Sequence, residues 1–262
     1  PLYWHLKDGL FMFSSELKSF HEHPDFEKEL NKNSLRLFFK HGYVPQPHTI
    51  FNNTHKLSAG YILELPLNSA KIKIEKYWDV IDCYNSPKLN ISRQEAQNET
   101  ERLLKSACEY RMVSDVPVGV FLSGGYDSSV VAALLQSERA KKIKTFSIGF
   151  HNKKFNEAHH AKNVAKYLGT DHTEYYCTQK DVLDILPKLP DIWDEPFGDS
   201  SAIPTVLVSK LARQNVKVSL SADGGDELFG GYHKYHYAKK IHQFNKFIPF
   251  RFTLSKIFLK DY

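Results

Sequence analysis

The stretch Val118-Gly119-Val120-Phe121-Leu122-Ser123-Gly124-Gly125-Tyr126-Asp127-Ser128-Ser129 decides how the chain is read. Its first five residues form a short apolar run, the pattern of a strand buried on both faces of a parallel sheet. Serine, two glycines and an aspartate then turn the chain, and residues 128–138 read as a helix. Downstream, strands are expected at Lys144–Phe150, His172–Tyr176 and Val216–Leu220. Helices are expected at Asn156–Leu168, closed by Gly169, at Val182–Leu186, ended by Pro187, and at Ala202–Gln214. The last carries Pro204 in its first turn, where proline is tolerated. Upstream, Ser92 and Glu95 form a capping-box pattern, and Ala96, Thr100, Leu103, Ala107 and Tyr110 follow at helical spacing. Strands alternating with helices predict an α/β class with a parallel, doubly wound sheet.

Ligands of such sheets bind outside the carboxyl ends of the strands. Two strand ends here are rich in polar groups. After Leu122, the glycine pair Gly124-Gly125 lets the backbone turn tightly and approach a ligand. The helix start beyond it offers free N–H groups to phosphate oxygens, and Ser123, Ser128 and Ser129 add hydroxyls. Asp127 would repel bare phosphate but suits a bridging Mg²⁺, a hard cation that prefers oxygen ligands. The pattern is neither GxxxxGK[ST] nor GxGxxG. The second end reads Ser221-Ala222-Asp223-Gly224-Gly225-Asp226-Glu227-Leu228-Phe229-Gly230-Gly231-Tyr232. Carboxylates directly after an apolar strand are costly unless solvated or bound to metal. Asp127 and Asp226 occupy corresponding places on the two ends and could together hold Mg²⁺ on a triphosphate.

The first 78 residues have a different rhythm. Leu2–His5 and Leu10–Phe13 flank Lys7-Asp8-Gly9, a hairpin signal. A helix from Ser34 to about His41 is expected, with Ser34 as its cap and Gly42 closing it. Strands are expected at Tyr61–Leu65 and Ile72–Tyr77, and residues 79–91 read as a linker. This part reads as antiparallel β with one helix.

Composition agrees with a soluble globular protein, at 42% hydrophobic and 25% charged residues over 262 positions. No apolar run approaches the roughly 18–20 residues of a membrane span, and no signal-peptide pattern opens the chain. Cys83, Cys108 and Cys177 are odd in number and widely spaced, which argues against a disulfide framework and fits a cytoplasmic location. The pairs His159-His160 and His233/His236 lack a third ligand for a metal site. Net charge is +5, from 35 basic and 30 acidic residues. Residues 232–262 hold seven Lys/Arg and one acid, a net of +6, so residues 1–231 net −1. With Phe244, Phe247, Phe250 and Phe252, this tail reads as a helical face awaiting a covering partner. The competing reading is a basic binding patch. Poor solubility of the chain through this tail is the corresponding expectation.

Across these motifs the chain resembles the glutamine-dependent asparagine synthetase family. Ser123–Ser129 resembles the family's pyrophosphate loop, SGGxDSS. Thr145–Phe150, Asn156-Glu157-Ala158 and Leu168–His172 are similar to the segments that follow it. Asp194-Glu195-Pro196-Phe197-Gly198-Asp199-Ser200-Ser201-Ala202-Ile203-Pro204-Thr205 resembles a further signature, and Ser221–Tyr232 the acidic glycine loop. Pro1–Trp4, Ser14–Lys18 and Gly42–Pro45 look like the later half of the family's glutaminase domain, without its N-terminal cysteine. Two deviations stand out. Tyr126 replaces a leucine common in the family, and Ala222 replaces a glycine.

The resemblance implies residues 1–78 as the C-terminal half of an N-terminal-nucleophile glutaminase domain. It implies residues 79–262 as the first part of an ATP-pyrophosphatase synthetase domain, so that the chain is an internal piece of a longer, homodimeric protein. It implies ATP and Mg²⁺, aspartate as acceptor, glutamine-derived ammonia, a β-aspartyl-AMP intermediate, and release of AMP and pyrophosphate. Leu122, Ser123, Gly124, Gly125, Asp127, Ser128, Ser129, Ile148, Ser221 and Ala222 would contact the nucleotide, Asp127 and Asp226 the metal, and Asp223 and Glu227 the reacting groups. No nucleic acid or membrane is implied, and the chain itself would release no glutamate from glutamine. A sugar carboxylate is the alternative acceptor. A tRNA-modifying enzyme with the same loop, and a non-catalytic binding subunit, are the alternatives of other classes. The first lacks its usual cysteine pairs here, and the second is disfavoured by the presence of both Asp127 and Asp226.

Overall fold

A computed structural model describes residues 2–66, 71–137, 139–151 and 156–245. The chain divides into two compact units, Pro1–Asn98 with Cys177–Leu207, and Glu99–Tyr176 with Val208–Tyr262. The side chains of Phe244, Phe247, Phe250 and Phe252, on which the tail expectation rests, lie outside the described residues. Among the described residues no helix is long and apolar enough to cross a membrane.

The first unit opens with the expected hairpin. Strands β1 (Tyr3–Lys7) and β2 (Leu10–Ser14) pair antiparallel across Asp8 and Gly9, whose φ values of 50° and 83° are those of a two-residue hairpin turn. Strand β3 (Thr54–Lys56) joins the other edge of β1. Helix α1 (Lys32–His41) is capped one turn earlier than expected. The Asn31 side chain accepts the N–H groups of Asn33 and Ser34, while Ser34 is buried inside the helix. An Asx carboxamide reaches the N2 and N3 donors and so displaces the downstream serine as cap. Gly42, at φ 79°, closes the helix as expected. Strands β4 (Tyr61–Glu64) and β5 (Lys73–Lys76) form a separate antiparallel pair. The expected linker contains a helix, α2 (Val80–Asn85), because Asp79 accepts the Ile81 N–H and nucleates it. The core of this part is Leu17, Phe20, Phe26, Val44, Ile50 and Phe51.

Beyond it follow α3 (Arg93–Met112), β6 (Val118–Phe121), α4 (Tyr126–Ser137), β7 (Lys144–Phe150), α5 (Ala158–Leu168), β8 (Asp171–Cys177), α6 (Gln179–Ile185), α7 (Leu189–Ile192), α8 (Ala202–Ala212), β9 (Val218–Leu220), α9 (Gly225–Phe229) and α10 (His233–Asn245). Ser92 and Glu95 make both bonds of the capping box that starts α3. Pro187 does not end the helical path after α6. A single 3₁₀ turn at Leu186–Lys188 takes the proline in its first positions and leads into α7.

The second unit is built on a four-stranded sheet in the order β8-β7-β6-β9. Strand β6 is parallel to both β7 and β9. Alternate residues of β6 and its end point to opposite faces. Val120 and Leu122 pack with Cys108, Ala132, Leu135, Ala161 and Ala165, from α3, α4 and α5. Phe121 packs with Phe146, Val208, Leu211, Ala212 and Val216, on the α8 side. Helices therefore cover both faces, as the alternation predicts. All three cysteines are free thiols, with Cys108 and Cys177 buried and Cys83 exposed. Burial pushes the Cys177 thiol up to about 11.

Polar groups inside both units set a pH response. His5 is buried with Nδ1 bonded to the Thr54 hydroxyl at 2.9 Å. His172 lies between two hydroxyls of β7, with Thr145 Oγ1 2.9 Å from Nδ1 and Ser147 Oγ 3.2 Å from Nε2. Burial lowers the pKa of His5, His21, His55 and His172 below the ordinary histidine value. The unfolded chain therefore takes up protons first as pH falls. These groups favour the fold above about pH 6.5, and that contribution is lost on acidification, with a slope of at most about 1.4 kcal/mol per pH unit for each histidine. The melting temperature should fall steadily between pH 7 and 5. A flat profile over that range would refute the assignment.

Candidate active site

The two polar strand ends lie in one unit and leave the sheet side by side. The register pairs Val118 with Val218, Gly119 with Ser219 and Val120 with Leu220, so Leu122 and Ala222 follow from adjacent strands. On the other side of β6, Leu122 donates its N–H to Phe146 O, which continues the ladder toward Ile148. A parallel pairing brings both C-terminal ends to the same edge of the sheet. Gly119 allows that packing, since a Cβ there would stand 2.5 Å from the Phe146 ring.

The first loop is stitched from within. Ser128 is buried, and its Oγ accepts the Ser123 N–H at 3.1 Å and lies 2.9 Å from Ser123 Oγ. Ser128 Oγ also donates to Gly125 O, and Gly125 N–H donates to Ser123 Oγ. These two hydroxyls preorganise the turn, so their chemistry is first that of a scaffold. Ser129 Oγ is buried with no partner among the described residues. Gly124 has φ +82°, and a Cβ there would stand 2.5 Å from Ala161 N and 2.7 Å from the His160 backbone. Its bareness is thus required by the backbone of α5, beyond any need to approach a ligand.

The second loop converges on the first. A Cβ at Gly225 would stand 2.3 Å from Asp127 Oδ2. The Asp127 carboxylate therefore packs directly on the bare Cα of the acidic turn. Gly224 enters α9 at φ 96°, and the Leu228 N–H bonds back to Gly224 O. Gly231 is held against Asp226, where a Cβ would overlap Oδ1. Glu227 is exposed but held by the Tyr232 hydroxyl, which donates to Oε1 at 2.8 Å. That bond, foremost, pushes the Tyr232 phenol up to about 12. The Lys234 ammonium lies 4.2 Å from the Tyr232 ring centre. Asp223 is exposed at the mouth of the turn and Ile148 is half-buried at the end of β7.

Sequence reasoning missed the partners that hold these residues: Tyr232 on Glu227, the α5 backbone on Gly124, and Gly225 on Asp127. The hydroxyl beside an acidic loop was the one legible hint. Among the described residues no group of three His, Cys, Asp or Glu could hold a metal alone. Two carboxylates beside a turn fit Mg²⁺, which is usually held by one or two carboxylates together with phosphates and water. A cavity of about 500 Å³ lies elsewhere, in the first unit, lined by Leu189, Trp193, Phe197, Asp199 and Ile203 among others. Its lining includes none of the expected site residues.

Gly225→Ala follows from this packing. The new methyl group must push the Asp127 carboxylate off the acidic turn. The melting temperature should hold, because the methyl meets the end of one side chain, while any reaction that needs Asp127 in this place should slow by on the order of a hundredfold, the cost of about an ångström of displacement. A normal turnover rate would show that Asp127 need not sit there.

Residues 99–261 match the family described as Asparagine synthase. Residues 1–78 match the Glutamine amidotransferase domain. The protein named "Putative asparagine synthetase (glutamine-hydrolyzing) 2" of Methanocaldococcus jannaschii is 38% identical over 268 residues, covering 98% of this chain and 50% of its own length. "Asparagine synthetase (glutamine-hydrolyzing) 1" of Bacillus subtilis is 31% identical over 246 residues, covering 94% of this chain and 38% of its own length. The chain spans half or less of the length of these relatives.

Proposed function

Because the chain belongs to the asparagine synthase family, we propose that it is part of an ATP-dependent amide-forming ligase that makes asparagine from aspartate with ammonia drawn from glutamine. In this reading residues 1–78 belong to the glutamine-hydrolysing half and residues 79–262 to the synthetase half, and the complete protein is a homodimer. The observation that carries it is the convergence of Asp127 and the acidic turn, through Gly225, at adjacent strand ends.

ATP would activate the acceptor carboxylate, forming β-aspartyl-AMP and releasing pyrophosphate, and ammonia would then displace AMP. The backbone of Ser123, Gly124 and Gly125, with Ser129 Oγ, would hold the pyrophosphate oxygens as charge develops on them. The Ser123 and Ser128 hydroxyls keep that loop in shape. Asp127 and Asp226 would hold Mg²⁺, which supplies charge neutralisation at the triphosphate. Leu122, Ile148, Ser221 and Ala222 would border the adenosine. Asp223 and the Tyr232-held Glu227 would orient the acceptor or the incoming ammonia.

The test uses a chain of the relatives' full length with ATP, Mg²⁺, ammonium and a panel of carboxylates. Pyrophosphate and asparagine should form in equal amounts with aspartate. Pyrophosphate release with a uronic acid but not with aspartate would replace the acceptor. No release with any carboxylate would refute the ligase reading.

A further inference from the structure

One segment carries an arrangement that the proposed site does not use. Residues 177–207 lie within the stretch that matches the synthase family, yet they form one compact unit with residues 1–98. Two consecutive carboxylates fasten them there. Asp194 Oδ2 accepts the Leu17 N–H at 2.6 Å, and Glu195 Oε1 accepts the Ile50 N–H at 2.7 Å. Each second oxygen faces an ammonium group, Asp194 Oδ1 at 3.3 Å from Lys18 Nζ and Glu195 Oε2 at 2.5 Å from Lys56 Nζ. The lysines are themselves tied down, Lys18 to Asp191 O and Lys56 to Val44 O. Beyond them the Gly198 N–H donates to Gly42 O at 2.7 Å.

The Asp194, Glu195 and Lys56 side chains are only 9%, 10% and 15% exposed. Buried ion pairs add little net stability, because desolvation offsets their attraction, and an apolar contact would pack as well. Their best-attested use is to fix one register among several. Each carboxylate here reads a backbone N–H and a lysine at once, so sliding the segment by one residue would break four contacts together.

We propose that Asp194 and Glu195 are positioning residues that couple the two halves of the reaction. They lock a segment of the synthase sequence into the glutaminase-side unit, so that ammonia released on one side is used on the other. This rests on the proposed function. Neither residue needs to touch a reacting atom.

The experiment uses a chain of the relatives' full length and compares Glu195→Gln, Lys56→Met, Lys56→Arg and the double Glu195→Gln/Lys56→Met variant. The double variant leaves no buried charge unpaired, so it serves if the single variants fold poorly. Glutamate and pyrophosphate are measured with glutamine or with ammonium as nitrogen source. With glutamine, the glutamate formed per pyrophosphate should rise about fivefold in the Gln and Met variants, the low end of a coupling between sites. Ammonium-driven turnover should stay at the wild-type level, and Lys56→Arg should restore the ratio. A purely structural contact would lower both reactions in parallel and leave the ratio unchanged, which would overturn the proposal. Absence of ammonium-driven pyrophosphate in the wild type would instead sink the functional reading and the coupling with it. Amide exchange at Ile50, whose N–H the Glu195 carboxylate accepts, reads the fastening in the 262-residue chain without any activity. Unchanged exchange there in the Glu195→Gln/Lys56→Met variant would also overturn it.

Discussion

Asp127→Asn, in a chain of the relatives' full length, should lose substrate-dependent ATP–pyrophosphate exchange by more than about a hundredfold. That figure is the upper end of what removing even an outer partner of a metal ligand costs, and Asp127 is proposed as a ligand itself. The substitution keeps the side chain's shape against Gly225, so the packing of the acidic turn is preserved. What changes is the charge. A neutral carboxamide gives Mg²⁺ one weak oxygen and presents a donor to the triphosphate, where an anion had offset the metal. The variant should keep the wild-type melting temperature. Labelled pyrophosphate exchange decides the matter, and wild-type exchange would sink the metal role. Excess Mg²⁺ should recover part of the lost rate, whereas a purely structural aspartate would show no such response.

Gly124→Ala should act on stability before activity. Its φ of +82° strains any residue with a side chain, by about 1–2 kcal/mol. The new Cβ would also stand 2.5 Å from Ala161 N, on helix backbone that cannot rotate aside. Together these should cost about 3 kcal/mol or more, equivalent to a fall of roughly 6–12 °C in melting temperature at this chain length. Circular dichroism melts of the 262-residue chain measure it. An unchanged midpoint would mean that α5 can move away from the loop. Gly225→Ala makes the complementary case, since its methyl meets the end of one side chain rather than backbone. The two glycine loops thus separate by readout, one thermal and one kinetic.

Much of the architecture was legible because it is encoded by near neighbours. The Asp8-Gly9 turn, the Ser92/Glu95 capping box and the buried run at Val118–Leu122 each act within a few residues, and each forms as expected. The misses were equally local but involved competition. Asn31 outcompeted Ser34 for the same N–H groups, and Asp79 turned a supposed linker into a helix.

By itself, then, the sequence determined the α/β class and the alternation of sheet strands with helices beyond Ser92, and it singled out the loop residues proposed for the chemistry. Only the tertiary structure decided what those residues touch. That β9 lies directly beside β6, so that Asp127 meets Gly225, depends on a pairing across about a hundred residues, which local periodicity cannot encode. The inward turn of the Ser123 and Ser128 hydroxyls, and the hold of Tyr232 on Glu227, are consequences of loop closure rather than of composition. Asp194 and Glu195 are the extreme case. Their backbone partners lie 177 and 145 residues away, and only burial, which makes an unpaired carboxylate costly, forces those partners to be found.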